Sequence, residues 1–244
     1  MPKTKYIEIY QDLKEKIETG VYEFQKLLPS ENTFIRTYQC SRNTLRRAIS
    51  ALVTDGYVQT MQGKGIRNIF QPIRQTSFPV GGIESFQEFA QRRHQTPAIK
   101  ILCFTELITD DKIAKRTGFA PGSSLYYLQR LHYLDEKPLI ISHNYFLKDI
   151  VTTLTPKIAE GSIYDYLEHT LHIFIVTSKR IITIEKMTQI DEKYLNLGDY
   201  NCLAVINTQT YNNDGIMFEY TQSRYRPDYF CFQDNATRAY RQKK

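Results

Sequence analysis

Three side chains that could contact nucleic-acid bases lie close together near the N-terminus. Arg42 and Arg46 are four residues apart, so in a helix they project from one face, with Asn43 beside them. A guanidinium can donate two parallel hydrogen bonds to guanine or phosphate, and an asparagine amide can pair with adenine. Arginines also cover the solvent face of many ordinary helices. The spacing therefore indicates a DNA-binding helix only together with other features.

A second group of polar side chains falls in β-prone runs later in the chain. Arg130 and His132 are two residues apart, so both project from the same face of a strand. Hydroxyl and acceptor groups likewise share one face of the last long strand: Glu219, Thr221, Ser223 and Tyr225. Such groups can bind an anion and sugar hydroxyls, although polar strand faces are more often simply hydrated.

Two helix starts could contribute to the same anion site. Ser85 with Glu88, and Ser162 with Asp165, have the spacing of a capping box. The N-terminus of a helix carries free N–H groups and a partial positive charge, which suit a phosphate. Because capping boxes begin many helices without a ligand, a phosphosugar pocket is one interpretation and a structural cap is the other.

The elements that would position the first group form a recognisable order. The apolar residues between positions 6 and 17 recur with helical spacing, and Ser30 and Ser41 are predicted N-caps of two further helices. Two β-prone runs in residues 57–70 then flank a glycine-rich turn that carries Lys64. Helix, helix, turn, helix and hairpin is the order of a winged helix-turn-helix, in which Lys64 could reach the DNA backbone or minor groove.

The remainder of the chain predicts a second domain. Prolines and a glycine pair interrupt residues 71–82, which separates a domain at 1–70 from one at 83–244. In the second domain helical segments alternate with strands and end in a hairpin, so the fold class is α+β with an antiparallel sheet. Of the net charge of +6, residues 1–70 carry +4, as expected of a segment that faces phosphates.

Composition excludes several other classes of function. No apolar run is long enough for a membrane span, and the N-terminal residues lack a signal-peptide pattern, so we expect a cytoplasmic protein without a membrane partner. The four cysteines are far apart and histidines do not cluster, so we expect no metal and no cofactor. Asp165, Glu219 and the histidines form no recognisable catalytic triad, and no P-loop is present. We therefore expect no enzyme activity.

Four ordered blocks between Leu28 and Gly65 resemble the signature of the GntR superfamily. They are Leu28-Pro29-Ser30-Glu31, Ser41-Arg42-Asn43-Thr44-Leu45-Arg46, the stretch from Leu52 to Gly56, and Gly63-Lys64-Gly65. The chain departs from the family at Ile66-Arg67, where a threonine and an aromatic residue are usual. The resemblance implies DNA contacts from Ser30, Asn32, Arg42, Asn43, Thr44, Arg46 and Gly63, to which the helix face and the turn add Ser41, Arg47 and Lys64.

Residues from about 80 to 238 resemble the UTRA effector domain of the HutC subfamily, whose fold is similar to that of chorismate lyase. Residues 77–86, 161–166 and 218–226 are most similar to repressors of trehalose operons in Gram-positive bacteria. This resemblance implies a homodimeric repressor that trehalose 6-phosphate releases from double-stranded operator DNA. It implies phosphate contacts from the backbone of Ser85, Phe86 and Gln87 and the side chains of Arg130, Ser162 and Tyr164, and sugar contacts from Glu219 and Tyr225.

His132 stands where relatives commonly carry a second arginine. A phosphate contact at this position would require a charged imidazole and would make binding depend on pH. Three alternatives remain open at this stage. The effector could be another sugar phosphate, such as an amino-sugar phosphate; the chain could be an enzyme similar to chorismate lyase; or it could be an architectural DNA-binding protein with no ligand.

Overall fold

A computed structural model describes residues 5–71, 77–79 and 83–233 of the chain. The chain divides near residue 75 into two compact units. Most of the predicted linker, residues 72–76 and 80–82, lies outside the described residues, as do both ends of the chain. Within that linker the sequence did not predict strand β3 (Ser77–Pro79), which pairs with β10 (Cys231–Gln233).

The N-terminal unit has the predicted winged helix-turn-helix order. Its elements are α1 (Lys5–Glu18), α2 (Glu31–Tyr38), α3 (Arg42–Thr54), β1 (Val58–Met61) and β2 (Gly65–Asn68). The side chains of Ser30 and Ser41 accept hydrogen bonds from the backbone N–H groups of Thr33 and Thr44, so both predicted N-caps are confirmed. The apolar faces of the three helices meet in one core: Ile9, Leu13, Phe34, Leu45, Ala48 and Leu52.

The hairpin formed by β1 and β2 is held against the segment that follows α1. Gly63 and Gly65 in its turn have φ of 71° and 104°, a region that favours glycine. Ile66 is buried in the core, and Nη1 of Arg67 donates a hydrogen bond of 2.5 Å to the carbonyl oxygen of Gln25. The departure from the family pattern at these two positions therefore serves to anchor the hairpin.

The C-terminal unit is built on a six-stranded, fully antiparallel sheet with the order β4-β5-β6-β9-β8-β7. Its strands are β4 (Pro97–Ile108), β5 (Ser124–Leu134), β6 (Lys137–Leu147), β7 (Ile175–Lys186), β8 (Cys202–Asn212) and β9 (Met217–Tyr225). Its helices are α4 (Phe86–Arg92), α5 (Asp111–Thr117), α6 (Pro156–Ala159), α7 (Ile163–His169) and α8 (Gln189–Leu195), followed by a 3-10 turn at Pro227–Tyr229. This arrangement confirms the α+β fold class.

Alternation along the strands separates two faces of this sheet. On one face Leu128 packs with Ile163 of α7. On the other face Leu131 packs with Leu195 of α8. Because side chains alternate along a strand, Arg130 projects from the same face as Leu128.

Some boundaries differ from the sequence-based expectation. Strand β7 ends at Lys186, because Thr188 begins α8 in a capping box with Asp191. The sequence did not predict α6 or β10. Among the described residues, no helix combines the length and apolar character needed to cross a bilayer.

Candidate functional site

The outward face of α3 presents the predicted DNA-contacting side chains. Arg42, Asn43 and Arg46 are all exposed. Nη2 of Arg42 donates a hydrogen bond to Oδ1 of Asn32 at 3.3 Å, and Nε of Arg46 lies 3.7 Å from a carboxylate oxygen of Glu31. The start of α2 therefore orients both arginines. Exposed ion pairs contribute little to stability, so a phosphate or a base can replace these partners at low cost.

The other predicted DNA-contacting residues have more varied surroundings. The guanidinium of Arg47 lies 3.9 Å from the ring centroid of Tyr6, a cation–π contact that joins α3 to α1. The Ser30 and Ser41 hydroxyls act as helix caps, whereas Lys64 is exposed at the tip of the hairpin. The DNA contacts of all these residues remain predictions.

A cavity of about 170 Å³, here called the sheet cavity, lies in the C-terminal unit against the face of the sheet that carries Arg130. It is lined by every predicted effector-binding residue except Ser162: Ser85, Phe86, Gln87, Arg130, His132, Tyr164, Glu219 and Tyr225. Phe230, Cys231 and Phe232 also line it, and the sequence did not point to them. Residues from distant parts of the chain thus meet at one site.

Ser162 is not among the residues that line the sheet cavity, and its expected side-chain contact with phosphate stays a prediction. Its hydroxyl caps α7 by accepting a hydrogen bond from the N–H group of Asp165 at 3.2 Å. Ser162 instead lines a neighbouring pocket, to which Ser85, Gln87 and Tyr164 also contribute. The predicted helix start at Ser162 is confirmed.

Arg130 is the buried cation of the sheet cavity, with 9% of its surface exposed. Its Nε donates to Oδ1 of Asn144 at 3.0 Å, and Nη1 lies 3.5 Å from the carbonyl oxygen of Ala159. Burial lowers the pKa of Arg130 to about 10, although the nearby Glu219 carboxylate favours the charge, so the guanidinium is still charged at neutral pH. Among the described residues it forms no ion pair within 4.0 Å. A buried charge without such a partner is costly, which favours an anionic ligand here.

A chain of hydrogen bonds links Arg130 to the acidic side of the cavity. Nδ2 of Asn144 donates to the hydroxyl of Thr221 at 2.7 Å, and that hydroxyl donates to Oε1 of Glu219 at 2.7 Å. The hydroxyl of Tyr164 donates to Oε2 of Glu219 at 2.8 Å. Burial and the Glu219 charge raise the pKa of Tyr164 well above its usual value, which keeps this hydroxyl protonated. The carboxylate is thereby held in place with lone pairs left for ligand hydroxyls.

His132 lies beside Arg130 and is neutral. Burial, and then the charge of Arg130, lower its pKa well below 6.5. Its Nε2 lies 2.8 Å from the hydroxyl of Ser142, and its ring meets that of Phe86 edge to face with centroids 4.9 Å apart. Burial next to a guanidinium disfavours a second positive charge, so a phosphate contact that needs a charged imidazole is not favoured here, and the effector contact of His132 stays a prediction.

The start of α4 supplies amide groups to the cavity wall. The capping box is confirmed, since the N–H of Ser85 donates to Oε2 of Glu88 at 2.7 Å and the N–H of Glu88 donates back to Ser85. The amide of Ser85 is thus already in use. Within the described residues, the amides of Phe86 and Gln87 have no hydrogen-bond partner and remain open to an anion.

Sequence reasoning missed Ser142 and Asn144 on β6, which connect His132 and Arg130 to β9. The signal was present, because Ser142-His143-Asn144 is a polar run in a strand that is otherwise mainly apolar. Arg180 of β7 also lines the cavity and was missed. In the part of the chain that the structure describes, no group of histidine, cysteine and acidic side chains is placed to hold a metal ion.

A winged helix-turn-helix with exposed arginines, joined in one chain to a second domain with a buried polar cavity, is the architecture of a DNA-binding regulator. Comparison with known families agrees. Residues 5–67 match the bacterial regulatory proteins of the gntR family, and residues 92–231 match the UTRA domain. The chain belongs to the GntR family of bacterial transcriptional regulators and carries a UTRA domain.

Individual relatives extend this assignment over the whole chain. The HTH-type transcriptional regulator TreR of Bacillus subtilis is 32% identical over 238 residues, which cover 98% of this chain and 99% of TreR. The crystal structure of YydK from the same species shares the fold with a TM-score of 0.79 at 20% identity, and covers 96% of this chain and 100% of YydK. The effector-binding domain of the trehalose repressor TreR has a TM-score of 0.52 at 29% identity, over 59% of this chain and 99% of that domain. TreR is a transcriptional regulator, and this similarity points to a regulatory role rather than an enzymatic one.

Proposed function

We propose that this regulator represses transcription by binding an operator, and that a sugar phosphate held in the sheet cavity releases it. Trehalose 6-phosphate is the first candidate, because TreR is similar over nearly the whole chain. One observation carries the proposal for the ligand class. Among the described residues, no carboxylate lies within ion-pair distance of the buried Arg130, and a phosphate would supply the missing charge.

One side of the cavity suits the phosphate group of the ligand, and the other side suits its sugar hydroxyls. Arg130 and the free amides of Phe86 and Gln87 suit the phosphate group. Glu219 on β9 offers carboxylate lone pairs to sugar hydroxyls, and Tyr225 on the same face adds a polar group. A sugar phosphate has both kinds of group, so it fits the charge and the hydrogen-bonding capacity of the site.

The DNA-binding step follows from α3. In a homodimer, two copies of α3 would enter successive major grooves of a near-palindromic operator, with Arg42 and Arg46 on the base edges. Effector binding would change how the two DNA-binding units are held, so that their spacing no longer matches the operator. A coupling free energy of about 1–3 kcal/mol would weaken operator binding roughly 5- to 150-fold.

The test uses full-length protein and a DNA fragment that it selects from a random library. Fluorescence anisotropy should show weaker DNA binding with trehalose 6-phosphate and no change with inorganic phosphate. If only an amino-sugar phosphate weakens binding, the effector is that alternative. If no sugar phosphate changes DNA affinity, the proposed regulation is wrong.

A second measurement tests the DNA-binding surface. The double variant Arg42→Ala/Arg46→Ala should bind the selected fragment about 100-fold more weakly, since each bidentate base contact is worth about 1–3 kcal/mol. The matched control is Lys112→Ala/Lys115→Ala, which removes two exposed charges from α5 of the other unit. Equal losses in both variants would reduce the role of α3 to a general effect of charge.

A further inference from the structure

His132 carries a buried nitrogen that nothing in the described protein satisfies. The side chain is 5% exposed and lines the sheet cavity. Its Nδ1 is buried and has no hydrogen-bond partner among the described residues. A buried polar atom left without a partner is uncommon, and it marks a place where a ligand can supply the partner.

The neighbouring hydrogen bonds determine which nitrogen of His132 carries the proton. Nε of Arg130 can only donate, so the Asn144 atom that it contacts is the oxygen. The single proton of the Ser142 hydroxyl is donated to that same oxygen at 2.9 Å. The Ser142 oxygen must then accept from His132, across 2.8 Å. Nε2 therefore carries the proton, and Nδ1 of the neutral ring is a bare acceptor.

A bare acceptor does not suit a phosphate oxygen, which is also an acceptor. We propose that Nδ1 of His132 accepts a hydrogen bond from a hydroxyl group on the sugar whose phosphate pairs with Arg130. This inference rests on the proposed function and deepens it. His132 then determines specificity, because it favours a hydroxylated sugar phosphate over inorganic phosphate or a sugar that lacks the hydroxyl in question.

Phe86 is the neighbour that such a ligand meets first. Its ring packs edge to face on the imidazole and lines the same cavity. Because Nδ1 is closed to solvent in this structure, a hydroxyl reaches it only when a neighbouring side chain moves, and Phe86 borders both the cavity and the imidazole. Phe86 is also the first residue of α4. A movement of Phe86 that lets the ligand hydroxyl reach His132 would therefore couple ligand binding to the start of this domain.

The first test is a double-mutant cycle between the protein and the ligand. Isothermal titration calorimetry compares trehalose 6-phosphate with analogues that each lack one hydroxyl of the phosphorylated ring. We expect one analogue to bind the wild-type protein about ten-fold more weakly, the size of one hydrogen bond. His132→Leu should bind trehalose 6-phosphate about ten-fold more weakly and should no longer distinguish that analogue from it. His143→Leu, which alters the opposite face of the sheet, is the control and should keep the wild-type preference.

A second measurement uses the wild-type protein, so it remains informative even if the His132→Leu variant misfolds. Nitrogen-15 NMR of the imidazole should show an unprotonated Nδ1 in the free protein. Its resonance should shift with trehalose 6-phosphate and not with inorganic phosphate. A protonated Nδ1 in the free protein, or an additive cycle with every analogue, would overturn the role of His132 while leaving the proposed effector intact. If wild-type protein binds none of the sugar phosphates, the proposed function itself fails and this role fails with it.

Discussion

Two arginines are buried on opposite faces of the same sheet, and their partners differ. Arg224, 4% exposed, donates from Nε to Asp191 at 3.0 Å, from Nη1 to Glu185 at 2.6 Å and from Nη2 to the carbonyl of Lys186 at 2.9 Å. Arg130, 9% exposed, is hydrogen-bonded to Asn144 and Ala159 and forms no ion pair with any described residue.

The contrast teaches that burial alone does not separate a structural charge from a binding charge. At Arg224 burial opposes the charge, but hydrogen bonds to Asp191 and Glu185 outweigh it and raise the pKa. At Arg130 burial dominates and lowers the pKa to about 10. A buried cation that is paired with carboxylates of the protein stabilises the fold. A buried cation that lacks a carboxylate partner is suited to bind an anionic ligand.

Loss of the carboxylate partner of Arg224 should have the largest effect. Asp191→Ala should lower the free energy of unfolding by about 3–5 kcal/mol, because it leaves a buried guanidinium without its buried carboxylate partner. The variant also removes one half of the capping box of α8. Urea denaturation measures the loss, and Glu192→Ala, an exposed neighbour in the same helix, should change stability by less than about 0.5 kcal/mol. Similar losses in both would mean that the ion pair contributes nothing.

Replacement of Arg130 should show the opposite pattern. Arg130→Met should leave the free energy of unfolding unchanged or slightly higher, since it removes a buried charge that forms no ion pair with any residue the structure describes. Affinity for trehalose 6-phosphate should fall about 100-fold or more, which corresponds to a lost buried charge contact of about 3 kcal/mol. Calorimetry and urea denaturation together check both parts, with Arg116→Met as the exposed control. A strongly destabilised Arg130→Met protein would assign Arg130 a structural role like that of Arg224.

The pH dependence of stability should reflect the neutral histidines. Burial, with help from Arg116 and Arg224, lowers the pKa of His143 to about 4 in the folded protein. The unfolded chain, with a histidine pKa near 6.5, therefore binds more protons below that pH, so stability is complete above about 6.5 and is lost as the pH falls towards 4. His143→Gln should reduce the loss between pH 7 and pH 5 by about 1–2 kcal/mol. An unchanged pH profile in this variant would contradict the burial of a neutral ring.

The smallest effect is expected at the outer partner of Arg224. The side chain of Glu185 is 38% exposed, so water screens its pairing with Arg224. Glu185→Gln should lower the free energy of unfolding by less than about 1 kcal/mol, because Asp191 still neutralises the guanidinium. Thermal unfolding of the purified variant measures this change. A loss as large as that of Asp191→Ala would show that the two carboxylates act as one unit.

Local sequence signals predicted the elements that carry both sites. Ser30, Ser41 and Ser85 cap helices as expected, because an N-cap depends on a side chain and an amide only three residues away. Alternation placed Arg130 and His132 on one face for the same reason. Ser162 also caps α7 as expected, while its contact with an effector stays a prediction.

The contacts between distant segments could not be predicted in this way. Alternation gives the face on which a strand residue lies, but it does not give the neighbouring strand or the register. Strand β9 lies between β8, its neighbour in sequence, and β6, which comes three strands earlier in the chain. Asn144 on β6 meets Thr221 on β9 only because of this pairing and its register. Phe230 and Phe232 likewise line the cavity only because the segment after β9 runs back along it.

The sequence by itself thus determined the winged helix-turn-helix, the exposed arginines of α3 and the polar face of the later strands, since each depends on residues within a turn or two of one another. Only the tertiary structure decided that Arg224 has Asp191 and Glu185 as partners, while Arg130 has no carboxylate in ion-pair distance within the part of the chain that the structure describes. The physical reason is that the energy of a buried charge depends on groups brought from distant parts of the chain by strand order and register.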